Sequence, residues 1–438
     1  MTKSRIGALG GIAVLILAAC STTPAASGPA ASGPAGSGPA ASGAGTKGTI
    51  KVAFELPMQG SDLAGSQPVI NGARLALKER GGVAGGYTID AGDALVYDDS
   101  LNSKFDPQTG AQNMTTIVGQ DDIVAVIGPM NSSVARAQIP ISNAAGLLQC
   151  SAANTAEDLT KPEFGALEIR KERPNDINYV RLATTDDYQG PAAAVYAFET
   201  LGKKDVYIID DTTTFGDGIA DNFEAEFKSI GGTVVGRDSM PPDTENYNDV
   251  LTTAKSKHPD VIYFGGVTGN GGARIGLTLP QVGLGDTTFI GPDGIYDGGA
   301  DTPNSFLNLV GDAAKNSLAT AAGAGDYPGK AAFDARYKAE YQIDATGYAG
   351  QGHGCMTVIL DAIQRAAAKD PADMAALREE VRKAGSDPTY TYTTVLGDLN
   401  FDENGDTSQH IISIYQYDAA TKSWAFKEQI DYAAAAGG

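Results

Sequence analysis

Basic residues are scarce in this 438-residue chain: 32 Lys and Arg face 53 Asp and Glu, leaving a formal charge of −21 and a pI near 4.5. Neutralising nucleic-acid phosphates needs clustered Lys and Arg, so nucleic acid is excluded as a partner, as is non-specific adhesion to anionic lipid. Histidine and cysteine number only three each. His258, His353 and His410 lie far apart and fall in no His-Glu-x-x-His or Cys-x-x-Cys pattern, so neither a metal nor another cofactor is expected. A Gly-x-Ser-x-Gly elbow, a P-loop and a Gly-x-Gly-x-x-Gly turn are also missing, and Gly269-Asn270-Gly271-Gly272 lacks the last glycine. That weighs against an enzyme, although carboxylate pairs leave no local signature. No apolar run reaches the ~20 residues of a spanning helix.

What is present is enough to fold. The chain is 42% apolar with 19% charged residues, which argues against wholesale disorder, and its length suits two or three domain-sized units. Residues 1–19 read as a signal peptide: Lys3 and Arg5 precede an apolar run from residue 6 to residue 19. Leu17-Ala18-Ala19-Cys20 resembles a bacterial lipobox, which implies a lipid anchor at Cys20; the alternative is ordinary secretion with a chance cysteine. Removing residues 1–19, with two basic residues and no acid, takes the charge from −21 to −23. Residues 20–48 then form the anchor cysteine and a Ser/Thr/Ala/Gly/Pro tether that cannot build a core. Once Cys20 carries lipid, Cys150 and Cys355 are left as a candidate disulfide pair in an exported protein, or as two buried small side chains.

From Thr49 onward, short β-prone runs alternate with helical periodicity. Runs at 49–56, 94–97, 123–127, 147–151 and 179–182 form one series, and those at 206–210, 233–235, 261–264, 288–290 and 317–321 a second. The pattern predicts two α/β lobes with parallel sheets of four or five strands each. Helical stretches follow at 330–341, 356–368 and 373–384, then β-rich runs at 390–395, 411–417 and 423–428. Asp402-Glu403-Asn404-Gly405-Asp406 lacks the distal Glu of an EF-hand and reads as a β-turn.

In open α/β sheets, ligands bind beyond the carboxyl ends of strands, so the loops of interest are 57–65, 128–133, 152–155, 210–216, 265–272 and 291–294. Gly128-Pro129-Met130-Asn131-Ser132-Ser133 leads from a strand into a helix whose first N–H groups suit a carboxylate. Asp293 is the candidate for an opposing ammonium group. Each loop alone reads equally as a cap or a turn.

The order and spacing of several segments resemble the solute-binding proteins of branched-chain amino acid ABC transporters, with the type I periplasmic-binding fold. They include Ile50-Lys51-Val52-Ala53, Ala125-Val126-Ile127-Gly128, Ala152-Ala153-Asn154-Thr155, Asp187-Tyr188-Gln189-Gly190-Pro191, Gly291-Pro292-Asp293-Gly294 and Leu399-Asn400-Phe401-Asp402. The resemblance implies two Rossmann-like lobes joined by three crossing segments, with the ligand cleft between them. Lobe one would span 49–184 plus 322–397, and lobe two 185–321 plus 398–438. It further implies a ligand site at Ser132, Ser133, Ala153, Asn154, Thr155, Phe215, Val267 and Asp293. Ser132 and Thr155 would hold an α-carboxylate, Ala153 and Thr155 would assist the amino group, and Asp293 would pair with the α-ammonium. Pocket tyrosines of well-known members appear here as Gly65, Phe215 and Val267, and the family's usual Glu is replaced by Asp293, so the side-chain pocket is altered. Residues 163–178 read as an insertion. The implied protein is an exported, membrane-anchored monomer that captures an amino acid and delivers it to ABC permease and ATPase subunits; a sensor of the same fold is the alternative.

Overall fold

The computed structural model describes residues 46–432. The signal peptide, Cys20 and most of the tether lie outside the described residues. Two seven-stranded sheets organise the chain. In the first, the central strand Thr49–Leu56 runs parallel to Ile123–Ile127, followed outward by Leu148–Ser151 and Tyr179–Arg181. Every residue of Ile123–Ile127 is buried, which is why this β-branched run shows no alternation: helices cover both faces of a parallel sheet. In the second sheet, Thr233–Ser239, Asp205–Asp210, Val261–Gly265, Thr288–Gly291 and Ser317–Ala321 are parallel. Ile411–Asp418 and Ser423–Asp431 then extend it antiparallel.

Each sheet is wider than expected. On the first, the short pair Val83–Ala84 and Tyr87–Asp90 adds an edge, and Val96–Asp98 pairs with Thr49–Leu56. On the second, the carboxyl-terminal hairpin supplies two strands. Helices Lys330–Tyr341, Ala349–Ala367 and Met374–Gly385 return to the first sheet, so each lobe is assembled from separated stretches of chain.

The chain passes between lobes after Arg181, after Ala321 and between Leu399 and Ile411. Thr184 binds the three passages together. Its N–H donates to the Ala322 carbonyl at 3.1 Å, and its hydroxyl donates to the carbonyls of Gln409 and Ile411 at 2.9 Å. The candidate pair Cys150 and Cys355 is bonded, with Cα atoms 5.6 Å apart, joining strand Leu148–Ser151 to helix Ala349–Ala367 inside the first lobe. The predicted insertion folds into short helical turns, and Arg173 within it forms ion pairs with Asp176 and Glu379.

Helix Ala349–Ala367 begins seven residues earlier than the sequence pattern suggests. The added turns contain Gly350, Gly352 and Gly354, and although glycine is a poor helix former, tertiary packing overrides propensity here. The helix lies against Leu63–Glu79 at glycine-limited distance. A Cβ on Gly352 would sit 2.3 Å from the Val69 carbonyl oxygen, and one on Gly72 would sit 2.0 Å from that of Ala349. Local propensity favours Gly352→Ala by about 1 kcal/mol, yet the new methyl meets backbone that cannot yield. We expect Gly352→Ala to lose about 1–3 kcal/mol in urea unfolding; a gain would show that the two helices do not approach this closely.

Candidate functional site

The carboxyl ends of both parallel sheets face one another, and a cleft lies between them. Its empty space is about 650 Å3, part of it open to solvent. All six loops singled out in the sequence reach it, through residues that include Asp62, Ser132, Thr155, Phe215, Val267 and Asp293. The lobes touch across it: Thr214 N–H donates to Ser133 Oγ at 3.2 Å, and Asn222 donates to Glu157 at 2.6 Å.

On the first lobe, helix Ser132–Ala144 begins at the cleft. The N–H groups of Ser132 and Ser133 belong to its first turn and have no intrahelical acceptor, so they are open to an anion. Ser132 and Thr155 are almost wholly buried, and both line the cleft. Thr155 Oγ1 lies close enough to the Asp186 carboxyl to counter the effect of burial there, but it has no hydrogen bond of good geometry. A buried hydroxyl without a partner is uncommon, and here a ligand is the natural partner. Ala153 lines the cleft beside it.

Asn154 is placed differently. It is not among the cleft residues; its amide donates to the Met130 carbonyl at 2.7 Å and its Oδ1 accepts from the Tyr179 hydroxyl at 2.7 Å. It fixes the backs of two cleft loops. Ser133 lines the cleft, but its hydroxyl oxygen already receives the Thr214 N–H.

On the second lobe, Asp293 is 5% exposed and buried carboxyl chemistry dominates its surroundings. Gln189 brackets it: Gln189 Nε2 donates to Asp293 Oδ1 at 3.1 Å, while Gln189 Oε1 accepts the Asp293 N–H at 3.0 Å and the Thr320 hydroxyl at 2.7 Å. The Tyr348 hydroxyl donates to Asp293 from the opposite lobe. Burial pushes the Asp293 carboxyl up to about 6, against the opposing hydrogen bonds of Tyr348 and Gln189. Phe215 and Val267 pack with Ile219 and Phe105 as an apolar wall, and Gly65 leaves room that Met130 partly fills.

Several cleft residues have no sequence signal of their own. Tyr348 precedes the glycine-rich turn that hid the start of its helix, and Phe105 sits on the small hairpin Ser100–Leu101 and Lys104–Phe105. Asp62 fell within a loop already singled out, whereas Asp297 lies beyond the end of one. Burial raises Asp62 to about 6 and Asp297 to about 8. Among the described residues no group of His, Cys, Asp and Glu is arranged to hold a metal ion.

Residues 49–422 match the family described as periplasmic binding protein. The Leu/Ile/Val-binding protein BraC3 of Rhizobium johnstonii is 29% identical over 383 residues, covering 84% of this chain and 92% of the relative. The Leu/Ile/Val/Thr/Ala-binding protein of Pseudomonas aeruginosa is 26% identical over 377 residues, covering 84% and 90%. Among solved structures, the leucine-binding protein LivK of Thermotoga maritima has a TM-score of 0.73 at 25% identity, covering 87% of this chain and 99% of that one. A solute-binding protein of R. palustris in complex with benzoate has a TM-score of 0.71 at 17% identity, covering 87% and 96%, and shows the shared fold. With two α/β lobes, three passages and a cleft at the strand ends, the chain belongs to the periplasmic binding protein family, in the group that includes the branched-chain amino acid binding proteins.

Proposed function

We propose that this protein is the extracytoplasmic solute-binding lipoprotein of an ABC importer, held to the membrane through Cys20, and that it captures an α-amino acid for its permease. The observation that carries this reading is the polarity of the cleft. Open N–H groups and the hydroxyls of Ser132 and Thr155 stand on one lobe, and the Asp293 carboxyl stands on the other. A zwitterion satisfies both: its carboxylate meets the first set and its ammonium meets the second. A ligand bound this way bridges the lobes, so binding and closure are coupled, and the passages around Thr184 absorb the motion. Relatives named for Leu, Ile and Val support the amino-acid class. The benzoate of the R. palustris protein carries no ammonium to meet a group such as Asp293. No helix among the described residues is long and apolar enough to cross a membrane.

The test is calorimetric titration with the twenty common amino acids on ligand-stripped protein. Charge-assisted hydrogen bonds contribute roughly 1.5–3 kcal/mol each, so Asp293→Asn and Ser132→Ala should each weaken the best ligand by about tenfold or more. Unchanged affinity in both variants would place the ligand elsewhere.

The raised carboxyls make two pH dependences. Asp293 must be ionised to hold an ammonium, and with its carboxyl at about 6 affinity should fall about tenfold between pH 7.5 and pH 5. Stability of the empty protein runs the opposite way. Glu55, Asp62, Asp293 and Asp297 hold their protons more tightly folded than unfolded, being raised to about 8, 6, 6 and 8. Their contribution is complete below the unfolded value near 4 and is lost as pH rises through the folded values. Carboxylates held low by partners, such as Glu379 at about 2 between Arg382 and Arg173, lose their contribution only at more acidic pH. The melting temperature of ligand-free protein should therefore rise from pH 8.5 to pH 6; a steady fall over that range would contradict the burial of these groups.

A further inference from the structure

The cleft holds more acidic groups than an α-ammonium can engage. Three carboxyl groups line it, those of Asp62, Asp293 and Asp297, and no Lys, Arg or His does. Proposed amino-acid binding employs only Asp293. Asp62 comes from the first lobe and Asp297 from the second, and both line the same cleft; burial is the main reason Asp297 is raised, and the charge on Asp62 adds to it. Neither forms an ion pair among the described residues. Lys104 donates to the Pro242 carbonyl and Arg274 to the Gly269 carbonyl at 3.1 Å; the Lys104 charge is the smallest of the influences on Asp62, where burial dominates.

A second observation points the same way. Asn131 lines the cleft, is 7% exposed, and its Oδ1 has no hydrogen-bond partner. It does not cap the helix that follows it. Its amide neighbours Asp62 and counters the effect of burial there. An orphaned buried acceptor beside two carboxylates calls for a donor that the protein does not supply. One oxygen of Asp297 accepts the Phe306 N–H at 2.8 Å, which fixes the carboxyl in place. Phe105, Met130, Phe215 and Val267 complete the same cleft with apolar surface suited to a hydrocarbon stem.

We propose that the ligand is an α-amino acid with a second cationic nitrogen on an apolar stem, received by Asp62, Asp297 and the Asn131 carbonyl oxygen. This rests on the amino-acid reading above and deepens it. The second cation also controls closure. Bringing the lobes together moves two carboxyl groups toward each other in a site losing water, which favours a shared proton there until a cation enters between them and displaces it. A net-neutral amino acid engages Asp293 but leaves this second pole unbalanced.

The test compares L-lysine with L-norleucine, which has the same stem without the terminal nitrogen, on ligand-stripped full-length protein; L-ornithine, L-arginine, L-leucine and cadaverine complete the panel. Lysine, ornithine or arginine should bind at least about tenfold more tightly than norleucine. Cadaverine, which lacks the carboxylate, should bind more weakly than lysine. In Asp62→Asn the lysine-to-norleucine ratio should fall about tenfold, with Asp297→Asn as the second variant should the first fail to fold. Norleucine or leucine binding as tightly as the dibasic amino acids would overturn the second pole while leaving the amino-acid reading intact. Absence of binding by every amino acid would overturn that reading and this one with it. A lysine preference that survives both substitutions would overturn the assignment to these carboxylates.

Discussion

The guanidinium of Arg181 has no access to water, and the parts of the fold that shape the cleft converge on it. Nε pairs with Asp406 at 2.6 Å, Nη2 donates to the Thr160 hydroxyl at 2.6 Å, and Nη1 donates to the Ala156 carbonyl at 2.7 Å. Arg181 ends the last strand of the first sheet, immediately before the first passage between lobes. Asp406 belongs to the third passage, where Asp402 accepts the N–H groups of Asn404 and Asp406 in a tight turn. Thr160 and Ala156 continue the loop that carries Thr155. A buried charge must be paired and hydrogen-bonded throughout, because an unmade bond there costs the full desolvation of an ion. That demand locks the loop, the strand end and the turn into one arrangement and sets where Thr155 faces.

The second lobe is ordered by the opposite chemistry. Its side of the cleft is built on carboxyls that lack cations. Asp211 is wholly buried and accepts from Thr213 N–H at 3.1 Å, Thr213 Oγ1 at 2.6 Å and Asn270 at 3.0 Å, so neutral donors hold two loops together. Behind Asp293, burial raises Asp186 well above the ordinary carboxyl range, and the charges of Glu157 and Asp293 add to the shift. Acidity is therefore more than a property of the outer surface. A cleft of this composition repels anions at long range, and it can accept a carboxylate only where helix N–H groups and hydroxyls supply local donors. On the proposed reading, recognition of the carboxylate is local, whereas attraction to cationic groups is spread through the site.

Much of this was legible in the sequence, and the limits have physical causes. Loop positions follow from the alternation of strand and helix, so the six segments at the strand ends could be named, and each contributes to the cleft. Which side chain of a loop faces the ligand does not follow, because it depends on what lies behind the loop. Asn154 and Thr155 are neighbours, yet Tyr179 and the Met130 carbonyl draw Asn154 away from the cleft. Tyr348 comes from a segment far from the other cleft residues in sequence, and only the folded lobes bring it to them, whereas Asp297 lies just past the loop that carries Asp293. Glycine shows the same limit at Gly352, which faces Val69 of the helix Leu63–Glu79. A residue type that weakens an isolated helix was serving the close contact between two helices, a three-dimensional requirement that carries no local signature.

The placement of the covalent bond completes the division of labour between lobes and passages. Cys150 and Cys355 are 205 residues apart, but both lie in the core of the first lobe. The bond therefore pins the returning helix Ala349–Ala367 to the sheet it covers, across the stretch of chain that builds the second lobe. A crosslink between lobes would oppose closure; this one leaves closure free and secures the helix directly after Tyr348. Between the lobes the ties are mixed: Lys161 pairs with Asp187 at 2.5 Å, and the Arg181–Asp406 pair holds the third passage. Thr184 contributes neutral hydrogen bonds at the passages, each worth about 1 kcal/mol net, which can re-form as the backbone turns. The covalent constraint inside the lobe keeps Tyr348 moving with the first lobe as a unit where it meets Asp293. On the proposed reading, the ligand supplies the remaining charges that decide whether the cleft stays shut.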